Sequence, residues 1–94
     1  MTESQLERKI GLFCTSKGLL YYKFSSPGRR GVPDRMIVGP GQKVMFLEIK
    51  APGKKPTKLQ LHEIGKLQDD GFVAEWVDDF FEAMELIYNV MLKN

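Results

Sequence analysis

GVPDRMIVGPGQKVMFLEIK, residues 31–50, decides the fold of this chain, because it reads as a β-hairpin. Arg35 to Val38 is apolar after its arginine, Gly39-Pro40-Gly41-Gln42 is turn chemistry, and Lys43 to Lys50 is rich in β-formers. A three-residue loop of Pro40, Gly41 and Gln42 sets Gly39 against Lys43, and the same register carried outward sets Asp34 against Glu48. Directly opposed Cβ atoms are about 4.5–5.5 Å apart, close enough for two carboxylates to hold one cation. A slip of one residue would send them to opposite faces. Glu48 and Lys50 share a face in any register, because side chains alternate along a strand. Two acids and a lysine therefore gather where a packed domain would normally avoid charge.

Gly31-Val32-Pro33-Asp34 followed by Glu48-Ile49-Lys50 resembles the PD-(D/E)xK nuclease signature and, more narrowly, that of the VRR-NUC (virus-type replication-repair nuclease) family. Members of that family carry a glutamate on an N-terminal helix, then Gly-x-Pro-Asp, then Glu-x-Lys, then a glutamine at the start of the next helix. This chain has all four pieces in that order, over nearly its whole length. Pro-Asp alone carries no weight and Glu-x-Lys is common in strands. The ordered set, with a hairpin between its two central pieces, is the informative feature.

Outward from the hairpin, composition sets the bounds. Ninety-four residues, 43% of them hydrophobic, suit one domain (residues 1–94) with a modest core. No apolar run approaches the roughly 18 residues of a membrane span, and the N-terminus lacks a signal-peptide pattern. The lone Cys14 excludes an internal disulfide and fits a reducing, cytoplasmic setting. The net charge of +2 conceals an asymmetry. Residues 1–68 carry 13 Lys/Arg against 5 Asp/Glu, net +8, and residues 69–94 carry 1 against 7, net −6. A basic body suggests a polyanionic partner on one side.

Before the hairpin, a helix is expected from about Glu3 to Lys17, with Thr2 and Gln5 forming a capping box and Gly18 as a stop. Leu6, Ile10, Phe13 and Cys14 fall on one side of it. Glu3 lies near the middle of that sector and Glu7 at its edge; first-turn acids are also favoured simply by the helix dipole. Leu19 to Phe24 reads as a strand partnering the hairpin. Ser25 to Gly31 is a loop whose Arg29 and Arg30 open onto Asp34, where they could hold phosphates, although a solvated connector would look the same.

After the hairpin, Ala51 to Lys58 is a second basic loop, with Lys54, Lys55 and Lys58. A second helix begins at Thr57. Gln60 forms a capping box with Thr57 and also heads the face carrying Ile64 and Leu67, so it can serve the backbone or the site. His62 lies off that face and reads as a surface histidine. Phe72 to Val77 is a further strand. Asp78 or Asp79 caps a last helix through about Met91, with Phe80, Met84, Ile87 and Met91 as its buried stripe and Phe81, Tyr88 and Leu92 as a neighbouring one. An apolar sector that wide exceeds what one sheet face needs and suggests an interface. The order α-β-β-β-α-β-α is an α/β arrangement with a small mixed sheet flanked by helices, matching a restriction-endonuclease-like core.

The residue types suit phosphodiester hydrolysis. Asp34 and Glu48 offer oxygen ligands of the kind Mg²⁺ takes, with Mn²⁺ able to substitute. Lys50 can orient a water or stabilise developing charge; as an ammonium it is no base unless its pKa falls. No Cys/His cluster supports zinc, and no Walker A loop is present. The resemblance adds Glu3 as the helix ligand, with Glu7 a competitor, the Ile49 carbonyl as a further ligand, and Gln60 orienting Lys50 or a water. It also implies a structure-specific DNA endonuclease, a branched-DNA or Holliday-junction resolvase working as a homodimer. A flap, end or sequence-specific nuclease of the same fold is the alternative, and a DNA-binding module that does not cut is another.

Overall fold

The hairpin forms in the expected register. In the computed structural model, which describes residues 1–93, strand β2 (Arg35–Gly39) runs antiparallel to β3 (Lys43–Ile49), pairing Gly39 with Lys43 and Arg35 with Leu47. The loop between them turns through left-handed backbone at Gly41 and Gln42, with φ of 75° and 64°. Glycine adopts that conformation freely, whereas Gln42 does so at a cost of about 1–2 kcal/mol.

Helix α1 (Glu3–Ser16) and strand β1 (Leu20–Lys23) precede the hairpin, and helix α2 (Lys58–Asp69), strand β4 (Val73–Val77) and helix α3 (Phe80–Ile87) follow it. The sheet order is β1-β2-β3-β4, with β4 parallel to β3 and the other neighbours antiparallel. The fold is thus a mixed α/β sheet with helices on both faces, in the order α-β-β-β-α-β-α. Central β3 is buried from Met45 to Ile49. Its odd-numbered residues meet Leu6, Ile10 and Cys14 of α1 and Ala83 and Ile87 of α3. Phe46, on the other face, clusters with Ile64 and Leu67 of α2. Each fully buried side chain of this size contributes roughly 1.5–3 kcal/mol. Burial pushes the Cys14 thiol up to about 11, so it packs as a small apolar group.

Both capping boxes form, Thr2 with Gln5 and Thr57 with Gln60, and Asp79 caps α3. The C-terminal helix departs from expectation. Regular α-helix stops at Ile87, and Tyr88–Leu92 continues as a π-helical turn closed by the Lys93 N–H donating to the Tyr88 carbonyl at 2.9 Å. The buried row is Ala83, Ile87 and Met91, and Met84 is only half-buried. The Met91 side chain lies against Gly39, where an added Cβ would come within 3.1 Å of it.

Candidate active site

Asp34 stands one residue before β2, and its carbonyl accepts the Phe24 N–H at 2.7 Å, extending the β1–β2 ladder by a step. One further step of the β2–β3 register sets it against Glu48. Gly31, just upstream, has φ of 84°, and a Cβ there would come within 2.8 Å of the Leu59 side chain. The Gly-x-Pro-Asp turn is therefore pressed against the first turn of α2, and glycine meets both demands at once.

Three acids converge on this point. One carboxylate oxygen from each of Glu3, Glu7 and Asp34 lies within 4.8 Å of the others. Glu3 is exposed; Glu7 is half-buried and held by the Arg35 Nη2 at 3.3 Å. The Arg35 guanidinium also lies 4.6 Å from the centre of the Tyr21 ring, and the Tyr21 hydroxyl donates to the Glu7 carbonyl at 2.9 Å. This arrangement docks α1 on the sheet with both glutamates facing Asp34. Glu48 lies outside that three-acid group but is 5% exposed and feels the charges of Asp34, Glu3 and Glu7.

Gln60 serves both roles open to it. Its Oε1 accepts the Thr57 N–H at 2.8 Å, which fixes the amide at the start of α2. The same oxygen lies 3.4 Å from the Lys50 Nζ, and Nε2 reaches Glu48 Oε2 at 3.4 Å. The cap thus orients a bridge between the acid and the lysine. His62 is exposed. Arg30, Lys54, Lys55 and Lys58 are exposed as well. Arg29 is not solely a solvent-facing cation: its Nε and Nη2 donate to the two Glu63 oxygens at 2.7 and 3.2 Å. Glu63 and Arg35 escaped the reading of the sequence. Glu63 sits three residues after Gln60 and one before Ile64, on the inward face of α2, so helical spacing was the available signal.

Partial burial and mutual repulsion raise both central acids. Burial first, then a hydrogen bond to Glu7 and its charge, push the Asp34 carboxyl up to about 6; the Ile49 backbone and Arg35 pull the other way. Burial and then Asp34 push Glu48 up to about 7 against the pull of Lys50. Asp34 Oδ1 is buried without a hydrogen-bond partner, an arrangement that is costly unless something else satisfies the oxygen. Oxygens sharing one octahedral Mg²⁺ lie at most about 4.2 Å apart, so the three-acid group would close on an ion with small side-chain adjustments. An all-oxygen set fits a hard divalent cation.

A pH dependence follows. Both folded-state values lie above the ordinary carboxylate range, so the fold favours the protonated acids. Their stabilising contribution is fully present below about pH 4 and is lost as pH rises through about 6 for Asp34 and about 7 for Glu48. Without divalent metal, the melting midpoint contributed by this site should fall between pH 5 and pH 8. The effect should be about 4–8 °C if screening leaves on the order of 1 kcal/mol. Added Mg²⁺ should recover more at pH 8 than at pH 5. Thermal melts of wild type against an Asp34→Asn/Glu48→Gln double variant check this: equal pH dependence in both would clear these two acids of it.

Known proteins share this architecture. No protein-family model matches the chain. A solved structure described as "VRR_NUC domain" superposes with a TM-score of 0.84 at 27% identity, covering 93% of this chain and 96% of that one. A second, "VRR_NUC domain protein", superposes at 0.75 over 96% of this chain and 88% of that one; at 18% identity it speaks to fold alone. In sequence, 65 residues are 48% identical to "Putative nuclease p44" of Acyrthosiphon pisum secondary endosymbiont phage 1, 69% of this chain and 70% of that protein. The fold is that of a nuclease-type α/β core. The chain belongs to the VRR-NUC family of nucleases.

Proposed function

We propose that this chain is an Mg²⁺-dependent endonuclease that hydrolyses DNA phosphodiester bonds, acts on branched substrates such as four-way junctions, and works as a homodimer. The observation that carries the catalytic reading is half-buried Asp34, with one unsatisfied buried oxygen, opposite buried Glu48, which Gln60 links to Lys50. Asp34, Glu48 and Glu3, with Glu7 as the nearer-buried competitor and the Ile49 carbonyl as a backbone donor, would hold the ion. When bound, Mg²⁺ lowers the pKa of its water and polarises the phosphate.

The rest of the work falls to the protein's own groups. Gln60, fixed by the Thr57 cap, holds Lys50 and Glu48 in one place. The Lys50 ammonium orients the attacking water or stabilises charge building on the phosphate. Arg30, Lys54, Lys55 and Lys58 take backbone phosphates on either side. Arg29 keeps its Nη1 for a phosphate while Glu63 holds its other edge. No helix among the described residues is long and apolar enough to cross a membrane. A cytoplasmic place of action fits a nucleic-acid substrate and a single, buried thiol.

Labelled linear, flapped and four-way-junction DNAs, incubated with Mg²⁺ or Mn²⁺, test this reading. Preferred paired cutting of the junction is expected. Preferred cutting of flaps, ends or one linear sequence would replace the junction assignment, and binding without cleavage would remove the enzyme. DNA binding should also weaken with salt. Arg30→Ala, Lys54→Ala, Lys55→Ala and Lys58→Ala each take one cation away from the phosphates, so each should flatten the log–log slope by about 0.9 on duplex DNA. An unchanged slope takes that residue off the DNA surface.

A further inference from the structure

A cavity of about 280 Å³ opens between the loop before Asp34 and the inner face of α2. Phe24, Val32 and Leu67 supply its apolar walls, the Arg29–Glu63 pair and Lys66 its polar ones. Of its lining, only Arg29 enters the site chemistry described above. Phe24 leans on Phe46 with ring centres 5.3 Å apart and a 60° tilt, a contact that holds the ring in place. Glu63, 6% exposed, anchors Arg29 through two donors and keeps the wall standing. Asp70 also lines it.

The position of the cavity relative to Asp34 is the informative part. Val32 is two residues before that acid, and the Phe24 N–H is bonded to its carbonyl. Along α2, Glu63, Lys66 and Leu67 follow Gln60 by three to seven residues, roughly 4.5–10 Å of helix. That interval is about one to three base steps of a DNA strand at 3.4 Å each. A strand whose phosphate lies at Asp34 and Lys50 would therefore carry a neighbouring base past the mouth of the cavity. Arg29 and Lys66 in its lining, set against Glu63 and Asp70, are the cations that can take its phosphates.

We propose that this cavity receives one unstacked nucleobase of the bound strand, next to the scissile phosphate, with Phe24 as its platform. A paired base inside a duplex cannot enter; a base at a branch point, less firmly stacked on its neighbours, leaves its stack at least cost. The pocket would thus supply part of the preference for branched over continuous duplex DNA. The proposal rests on the nuclease reading above and deepens it.

Junction and linear duplex DNAs carrying 2-aminopurine at single positions within three nucleotides of the cut test it, bound without divalent metal so that the strands stay intact. One position in the junction should brighten several-fold, and none in the duplex. An abasic residue at that position should weaken wild-type binding roughly tenfold, the scale of one base–aromatic stack. Ser26→Trp, which fills the cavity from its rim, should abolish both the brightening and the abasic penalty. Phe24→Leu, which keeps the packing on Phe46 but removes the platform, should reduce both. Flat fluorescence at every position, or an abasic penalty unchanged in both variants, overturns the pocket. Mg²⁺-dependent cutting of the same DNAs, run in parallel, separates the two ideas. Cleavage with no base signal overturns the pocket alone, and no cleavage of any DNA overturns the nuclease reading itself.

Discussion

Asp34→Asn and Glu48→Gln should each lower strand cleavage by a factor on the order of 10³ or more while leaving DNA binding intact or improved. The size follows from what these oxygens do. A metal that polarises a phosphate is worth several kcal/mol in the transition state, and each 1.36 kcal/mol is tenfold in rate. The direction of the binding change follows from charge, since removing a carboxylate relieves repulsion of phosphate. Stability should not collapse in either variant, because the fold already raises the pKa of both acids and so favours their neutral forms. Lys50→Ala should lose turnover yet keep most metal affinity, which separates its role from that of the ligands. Cleavage at near wild-type rate by either acid variant, measured at saturating Mg²⁺ on the preferred DNA, would show the site to be elsewhere.

Phe81→Glu or Tyr88→Glu should yield monomers that nick junctions but no longer cut both strands in pairs. Phe81 is 73% exposed and Tyr88 53% exposed, large apolar side chains on the C-terminal helical segment. Symmetric cutting of two strands needs two active sites related by a two-fold axis, and one chain supplies a single Asp34–Glu48 pair. A carboxylate placed at an interface anchor costs about 2 kcal/mol or more, roughly 30-fold in dimer affinity. The acidic segment from Asp69 to Glu85 would lie near such a seam, leaving the basic loops to carry DNA away from it. Sedimentation at micromolar concentration, with junction cutting followed on doubly labelled DNA, reads both outcomes. Wild-type protein that is monomeric and still cuts in pairs would sink the dimer.

The parts legible in the sequence are those set by short-range rules. The hairpin register could be counted from Gly39-Pro40-Gly41-Gln42 because a tight turn fixes which residues face each other and the pleat then repeats every second residue. Thr2 with Gln5 and Thr57 with Gln60 could be read as caps because each box spans four consecutive residues. The end of the last helix could not. Tyr88–Leu92 widens to π in the same turn that sets Met91 against Gly39, a contact between distant segments that helical spacing does not report.

The same division runs through the site. Asp34, Glu48 and Lys50 belong to one hairpin, and local geometry alone brings them together. The approach of Glu3 and Glu7 required α1 to dock, which depends on Arg35, Tyr21 and the core under Leu6 and Ile10. Gln60 had two readings that helical periodicity cannot separate, and the fold satisfies both because the start of α2 abuts the end of β3. Arg29 read as a free cation beside the scissile bond. Only the packing of α2 revealed that Glu63, 34 residues away, holds one edge of it. Local pattern determines which side chains share a face of one element. Which faces meet is decided by the burial of the apolar core, and with it which charges of distant segments come within reach of each other.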